Sequence, residues 1–272
     1  ALISKNVIKL MQTKIIDFST YSSLKIGAPI EVNLIQTPQD SKLALSQHMQ
    51  IIGKANNLLI SPKAKNLALL DKTFSYITDC GEYVEVGGAY PSGRIFSYFK
   101  SHNLGGLEFL QALPGSLGGL VKMNAGMKQY EIKSILHSIN VNGEWHDVST
   151  FPMNYRDSGI TGIILAARFY KKIGFDITLH TQCNALRKHH PKEPSCGSCF
   201  KNPKGDYAGR LLESAELKGY RINDIAFSEQ HANFLVNKGK ASFEDAITLI
   251  ELAKKRVFEQ SGIQLECEVQ II

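Results

Sequence analysis

Between Leu113 and Gly126 the chain reads Leu-Pro-Gly-Ser-Leu-Gly-Gly-Leu-Val-Lys-Met-Asn-Ala-Gly, and Gly115, Gly118, Gly119 and Gly126 carry no Cβ. Backbone N–H groups in such a segment can approach a ligand and turn toward it, while Ser116 and Asn124 add side-chain partners; the pattern suits a pyrophosphate. A tight turn beside a packed strand uses glycine in the same way, so spacing alone leaves both readings open. The segment is not a Walker A loop, because no Lys-Ser/Thr follows at the right distance, nor a strand-led Gly-x-Gly-x-x-Gly. A second turn, Gly53-Lys54-Ala55-Asn56-Asn57-Leu58, lies between two strand-like runs, and Lys54 can bring positive charge to it. Taken alone, it reads more simply as a turn.

Cys196-Gly-Ser-Cys199 has the spacing of a redox dithiol or half a zinc site. Cys80, Cys183 and Cys267 stand apart, and His189 and His190 do not complete a familiar zinc spacing, so no metal site is expected. Phe200-Lys-Asn-Pro203 follows at once and stops the helix that a thioredoxin-like motif needs. From Arg187 to Arg210 six basic residues (Arg187, Lys188, Lys192, Lys201, Lys204, Arg210) face two acidic ones (Glu193, Asp206). This is either a solvated loop or a wall that neutralises a nucleotide pyrophosphate. Tyr155-Arg156 sits in a loop. Glu266 and Glu268, two apart on an expected last strand, should face one side, either as a solvent-facing row or as paired carboxylates for acid–base work.

These groups need a scaffold. In the first half, strands are expected at Ile30–Ile35, Gln50–Gly53, Asn57–Ser61, Ser75–Thr78, Tyr83–Gly87, Ile135–Val141 and Ile163–Phe169, with one more at Ile15–Phe18. Helices are expected after Thr37-Pro-Gln-Asp40 and from Pro91 to His102, the latter with Ile95, Phe96 and Phe99 on one face. The second half reads as more helical. Tyr207–Leu217 is ended by Gly219, and a long helix starting at Ser242 buries Phe243, Ala246, Ile247, Ile250, Ala253 and Val257 and closes at Gly262. Leu265 to Ile272 reads as a final strand. The class is α+β, with a domain boundary near Lys171-Lys172-Ile173-Gly174.

The 272 residues amount to about 1.8 typical domains, and 43% hydrophobic with 21% charged residues is a globular composition. No apolar run reaches the roughly 18 residues of a membrane span, and no secretory signal is read at the N-terminus. Met11 is the expected start, with residues 1–10 an extension of no assigned role. A net charge of +6 fits an anionic ligand but is too mild to imply nucleic acid. Five cysteines, an odd count, favour a reducing compartment over a disulfide scaffold.

In order along the chain, several pieces resemble the flavin-dependent UDP-N-acetylenolpyruvoylglucosamine reductases of bacterial cell-wall synthesis. They are Tyr21-Ser-Ser-Leu-Lys-Ile-Gly27, Gly106-Leu-Glu-Phe-Leu110, Pro114-Gly-Ser-Leu-Gly-Gly119, Met123-Asn-Ala-Gly126 and Tyr155-Arg156. The second half adds Gly197-Ser-Cys-Phe-Lys-Asn-Pro203, Tyr207-Ala-Gly-Arg-Leu-Leu-Glu213, Leu217-Lys-Gly-Tyr-Arg-Ile222, His231-Ala-Asn-Phe234 and Glu266-Cys-Glu-Val269. The resemblance implies a vanillyl-alcohol-oxidase-type FAD-binding region (PCMH-type) over residues 11–171. A smaller α+β substrate-binding domain would follow over 172–272, its last strand returning toward the flavin.

It further implies a cytoplasmic, monomeric oxidoreductase acting on a CH–CH bond. FAD would be held non-covalently by Gly53, Lys54, Ala55, Asn56, Asn57, Leu58, Pro114, Gly115, Ser116, Gly118, Gly119, Asn124, Gly126 and Ile163. NADPH would reduce the flavin. UDP-N-acetylglucosamine enolpyruvate would then take a hydride at C3 and a proton at C2, giving UDP-N-acetylmuramate. In that scheme Arg156 stabilises the enolate-like charge, Ser198 donates the proton and Glu268 orients the carboxylate and proton network. Tyr155, Lys201, Asn202, Lys218 and Asn233 would contact the substrate.

The chain departs from the family pattern at the first turn, where Lys54-Ala55-Asn56 replaces Gly-Gly-Ser. It departs again at Met127-Lys-Gln, which replaces Ala-Tyr-Gly, and at Gln270, which replaces an arginine. Only 41 residues separate Arg156 from Ser198, the compact form without a tyrosine-bearing substrate loop. Two rivals stand beside this reading: another FAD oxidoreductase of the same fold, and a non-catalytic UDP-sugar binding protein.

Overall fold

The computed structural model describes residues 11–188 and 190–272; His189 and the expected extension at residues 1–10 lie outside the described residues. Gln12–Asp17 pairs antiparallel with Pro29–Ile35, placing Ile16 opposite Ile30. The Asp17 carboxylate then accepts from Ser19 N and starts the one-turn helix Phe18–Tyr21, which delivers Tyr21. Pro29–Ile35 runs parallel to Leu67–Leu70, which in turn runs parallel to Gln50–Ile52, completing a four-stranded sheet. A second sheet is antiparallel throughout, in the order Glu144–Asp147, Leu136–Val141, Ile164–Tyr170, Tyr83–Gly87, Ile77–Cys80. Thr37 and Asp40 form a capping box on the helix Pro38–Ser46. The helix Ser92–Ser101 buries Ile95, Phe96 and Phe99, as its periodicity predicts.

The second half is less helical than its sequence suggests. Ser195–Ser198, Phe234–Asn237, Ile225–Phe227 and Arg221–Ile222 form a four-stranded antiparallel sheet in that order. It is packed by Ala208–Ser214 and by Phe243–Ser261. The long helix buries Ala246, Leu249, Ile250, Ala253 and Val257; Leu249 joins the expected face, whereas Phe243 and Ile247 are only half-buried against it. Complete burial of a leucine or isoleucine contributes about 1.5–3 kcal/mol, so this stripe anchors the helix. Residues Leu24, Ile26 and Leu59 from the first half complete the same core.

Several boundaries need correction. The strand expected at Asn57–Ser61 is only Leu58–Leu59. The one expected at Ile135–Val141 begins at Leu136, because Ile132–Ile135 forms a short helical turn. The helix expected to run to Leu217 ends at Ser214 with Ala215 as its cap, and Glu216 takes a positive φ of 57°, so Gly219 falls outside it. The strand expected at Ser75–Thr78 begins at Ile77, because Ser75 caps a short turn of helix at Lys72–Phe74. The final strand is only Gln270–Ile271, parallel to Leu58–Leu59. Glu266 and Glu268 therefore do not share a strand face: Glu266 is 71% exposed at its side chain and Glu268 14%.

Residues 172–187, which the sequence reading gives to the C-terminal domain, pack with the first core. Lys172–Ile173 pairs with Leu104–Gly105, and the helix Ile177–Arg187 buries Leu179 and Cys183 there. Glu108, 1% exposed, ties the two together by accepting from Gly106 N at 2.8 Å and Asp176 N at 2.9 Å. Glu108→Ala leaves both amides without an acceptor. It should cost about 2 kcal/mol, seen as a lower urea midpoint with an unchanged m value; a midpoint equal to the parent's would contradict this role.

Candidate active site

Two clefts meet at the two turns that the sequence singles out. The first, about 490 Å³, lies between the two sheets and is lined by Gly53, Lys54, Ser116, Gly118, Gly119 and Ile163 among others. The second, about 450 Å³, is lined by Asn56, Pro114, Gly115, Gln111 and Arg187, and the two share Tyr21 and Lys54. The second turn is pinned from below: Ser92 N donates to Gly115 O at 3.0 Å, Leu117 N to Tyr90 O at 3.0 Å and Gly118 N to Gly88 O at 2.8 Å. The Tyr21 hydroxyl donates to Gly53 O at 2.9 Å and fixes the first turn. A Cβ on Gly53 would stand 2.9 Å from Ser116 Oγ, so a side chain there would close the gap between the turns. Among the described residues Lys14, Lys54, Lys72 and Lys122 line the first cleft and no carboxylate does, which suits an elongated anionic ligand.

Other expected cofactor residues frame the clefts without lining them. Ala55 is buried with φ +51°, a conformation in which the family's usual glycine would be less strained. Leu58 lies in the short strand that receives the C-terminus, and Gly126 in a two-residue strand whose carbonyl faces Arg156. Asn124 is completely buried behind the second turn. Lys14, Tyr21, Lys72 and Lys122 were not singled out as site residues from the sequence. Tyr21 opens one of the matching motifs, whereas the lysines sit on separate elements and carried no local signal.

Arg156 and Glu268 meet at 3.1 Å between Nε and Oε1, with side chains 19% and 14% exposed. Arg156 Nη2 also donates to Gly126 O at 3.0 Å, and its guanidinium lies over the Tyr155 ring at 4.9 Å. Burial pushes the Glu268 carboxyl above its ordinary range, and the Arg156 charge opposes that shift. Three backbone contacts place Glu268. Its N–H donates to Cys199 O at 2.8 Å, its carbonyl accepts from Asn57 Nδ2 at 2.9 Å, and Phe200 bridges Cys267. The residue before Cys199 is Ser198, so the expected donor, the carboxylate and the first turn are joined within a few bonds. Gly197, at φ +78°, provides the irregularity between Ser195 and Ser198 in the pairing with Phe234–Asn237. The half-buried Ser198 hydroxyl makes no hydrogen bond among the described residues.

The remaining expected substrate residues divide by role. Lys201 and Lys218 pair with Glu266 and Glu213 at the surface, where an anionic ligand can exchange with the carboxylate. Asn202 Oδ1 accepts from Ala208 N at 3.0 Å and caps the helix Ala208–Ser214. Asn233 is buried, and both ends of its amide clasp Phe200: Oδ1 accepts from Phe200 N at 3.0 Å and Nδ2 donates to Phe200 O at 2.8 Å. Its carbonyl also accepts from Cys199 N at 2.7 Å, so Asn233 holds the Ser198 strand. Cys196 and Cys199 are buried, and desolvation pushes the Cys196 thiol up to about 12 and that of Cys199 well above its ordinary value. A redox dithiol needs the opposite shift.

Comparison with known proteins agrees along most of the chain. Residues 189–272 match the family model described as the C-terminal domain of UDP-N-acetylenolpyruvoylglucosamine reductase. The UDP-N-acetylenolpyruvoylglucosamine reductase of Helicobacter hepaticus is 75% identical over 262 residues, covering 96% of this chain and 100% of that protein. The protein of the same name from Campylobacter jejuni (strain RM1221) is 42% identical over 263 residues, covering 95% and 100%. The crystal structure of UDP-N-acetylenolpyruvylglucosamine reductase from Thermus caldophilus superimposes with a TM-score of 0.82 at 29% identity, covering 96% of this chain and 99% of that one.

Arg156→Met removes the charge that opposes burial at Glu268, so the Glu268 carboxyl should titrate at higher pH than in the parent. Carboxyl ¹³C NMR of glutamate-labelled protein reads this directly; an unmoved or lowered pKa would contradict the pairing.

Proposed function

The chain belongs to the UDP-N-acetylenolpyruvoylglucosamine reductase family, and on that premise we propose that it holds FAD in the paired clefts and uses NADPH to reduce the enolpyruvyl ether of UDP-N-acetylglucosamine. Membership makes it an oxidoreductase of peptidoglycan precursor synthesis. The residues present fit the flavin dinucleotide: two turns separated by a gap that a side chain at Gly53 would fill, and four lysines without a lining carboxylate to meet a pyrophosphate. Gly53, Lys54, Ser116, Gly118, Gly119 and Ile163 would hold one part, with Asn56, Pro114 and Gly115 along the second cleft. When bound, the flavin supplies the hydride that reaches the enolpyruvyl C3.

The protein's own residues then have three tasks. Arg156 offsets the negative charge that builds on C2 and the adjoining carboxylate, in a partly buried site where a fixed charge acts more strongly than in water. Ser198 donates the proton at C2; its hydroxyl is a weak acid, but a carbanion-like centre beside a positioned donor does not demand a strong one. Glu268 holds Arg156 in place and turns it toward the substrate. Lys201 and Lys218 would release their surface carboxylates to the nucleotide phosphates, with Tyr155 at the rim. The observation that carries this reading is the Arg156–Glu268 pair beside the Ser198 strand. The substrate domain on this reading begins after the helix Ile177–Arg187, since that helix packs with the first core.

The test separates the half-reactions. The purified protein should show a bound-flavin band near ~450 nm that NADPH bleaches without oxygen and the enolpyruvyl sugar nucleotide restores. Ser198→Ala should bleach at the parental rate and recover far more slowly. Equal loss of both steps would overturn the proton-donor assignment. Lack of flavin would point to a UDP-sugar binding protein, and recovery that ignores the sugar nucleotide to another flavin oxidoreductase.

A further inference from the structure

Asn124 leaves the helix Leu117–Lys122 that carries the second glycine turn, and it is completely buried. Its Nδ2 donates to the carbonyls of Met153 and Asn154, each at 3.1 Å, the residues that lead into Tyr155 and Arg156. Both amide protons are thereby used. Its Oδ1 is the buried side-chain atom without a hydrogen-bond partner among the described residues. A fully ionised diphosphate has no proton to give that oxygen. Asn124 is thus poorly suited to the cofactor-phosphate role that its glycine-rich neighbourhood suggests.

The turn that it clasps is constrained. Arg156 has φ +57°, a conformation that a non-glycine residue keeps only where its surroundings hold it. Asp157 N donates to Asn154 O at 3.2 Å, Ser158 N to Lys122 O at 3.0 Å, and Lys133 Nζ to Met153 O at 2.9 Å. Arg156 Nε–H and one N–H of Nη2 are taken by Glu268 and Gly126, which leaves both N–H groups of Nη1 and the second of Nη2 for a ligand. A shift of the turn would therefore move these remaining donors, while Arg156 lines neither cleft.

We propose that Asn124 is the positioning residue for Arg156, fixing the guanidinium relative to the helix of the second glycine turn. This rests on the role given to Arg156 above and adds a residue that acts through it.

The experiment compares Asn124→Ala, Arg156→Ala and the double variant in the two half-reactions. Asn124→Ala should keep its flavin affinity and its reduction by NADPH. Reoxidation by the enolpyruvyl sugar nucleotide should slow on the order of 100-fold, the loss a small misplacement of a reacting group can cause, through kcat with KM little changed. The double variant should be no slower than Arg156→Ala, since both changes remove one function. Additive losses, or flavin loss with both half-reactions impaired together, would overturn the proposal. If Asn124→Ala does not fold, Lys133→Met, which frees the same Met153 carbonyl from the surface side, should give a smaller loss confined to reoxidation; parental reoxidation would count against the proposal. Arg156→Ala with parental reoxidation would sink the functional reading itself. A slow Arg156→Ala beside a parental Asn124→Ala would sink the positioning role alone.

Discussion

The site depends on one ion pair whose partners are 112 residues apart, Arg156 to Glu268. Both side chains are largely withdrawn from water, so each needs the other: removing one partner of a buried pair leaves an uncompensated charge and costs about 3–5 kcal/mol. Such a pair is weak evidence for stability but strong evidence for placement. Arg156 is held by a strained turn on the first core, and Glu268 by the segment that follows the last helix. Only when the chain returns to where it began do the two meet.

That return is built from backbone bonds. Gln270–Ile271 pairs with Leu58–Leu59, Asn57 bonds the Glu268 carbonyl, and Cys199 O accepts from Glu268 and Val269. The same few residues therefore join the first turn, the Ser198 strand and the carboxylate. Asn233 stiffens the strand from the other side through Phe200. The buried cysteines that flank Ser198 fill the space behind it, and their raised pKa values fit packing rather than chemistry.

Much of this was legible in the sequence. Period-two runs such as Tyr83–Gly87 and the periodic face of Ser92–Ser101 follow from local residues, and the ordered motifs lead to Arg156, Ser198 and Glu268. What was hidden has physical reasons. The helix Leu117–Lys122 includes Gly118 and Gly119, poor helix formers that packing overrides. Ser195–Ser198 and Arg221–Ile222 are too short and irregular to show a period. The last strand was overextended because Leu265 to Ile272 alternates in sequence, whereas backbone bonds to Cys199 turn Glu268 inward and leave Glu266 outside. Lys14 and Lys72 reach the cleft only through the sheet order, which no local spacing encodes. The motif points to Asn233 as a substrate contact, whereas its amide clasps Phe200, a partner 33 residues away that no local spacing reveals.

The most direct test of this account is a double-mutant cycle on Arg156→Ala and Glu268→Ala, read as the rate at which the enolpyruvyl sugar nucleotide reoxidises the reduced enzyme. If the pair acts as a single placed unit, the double variant should be about as slow as the slower single variant, a strongly non-additive result. Independent, additive losses would contradict the claim that Glu268 works by holding Arg156.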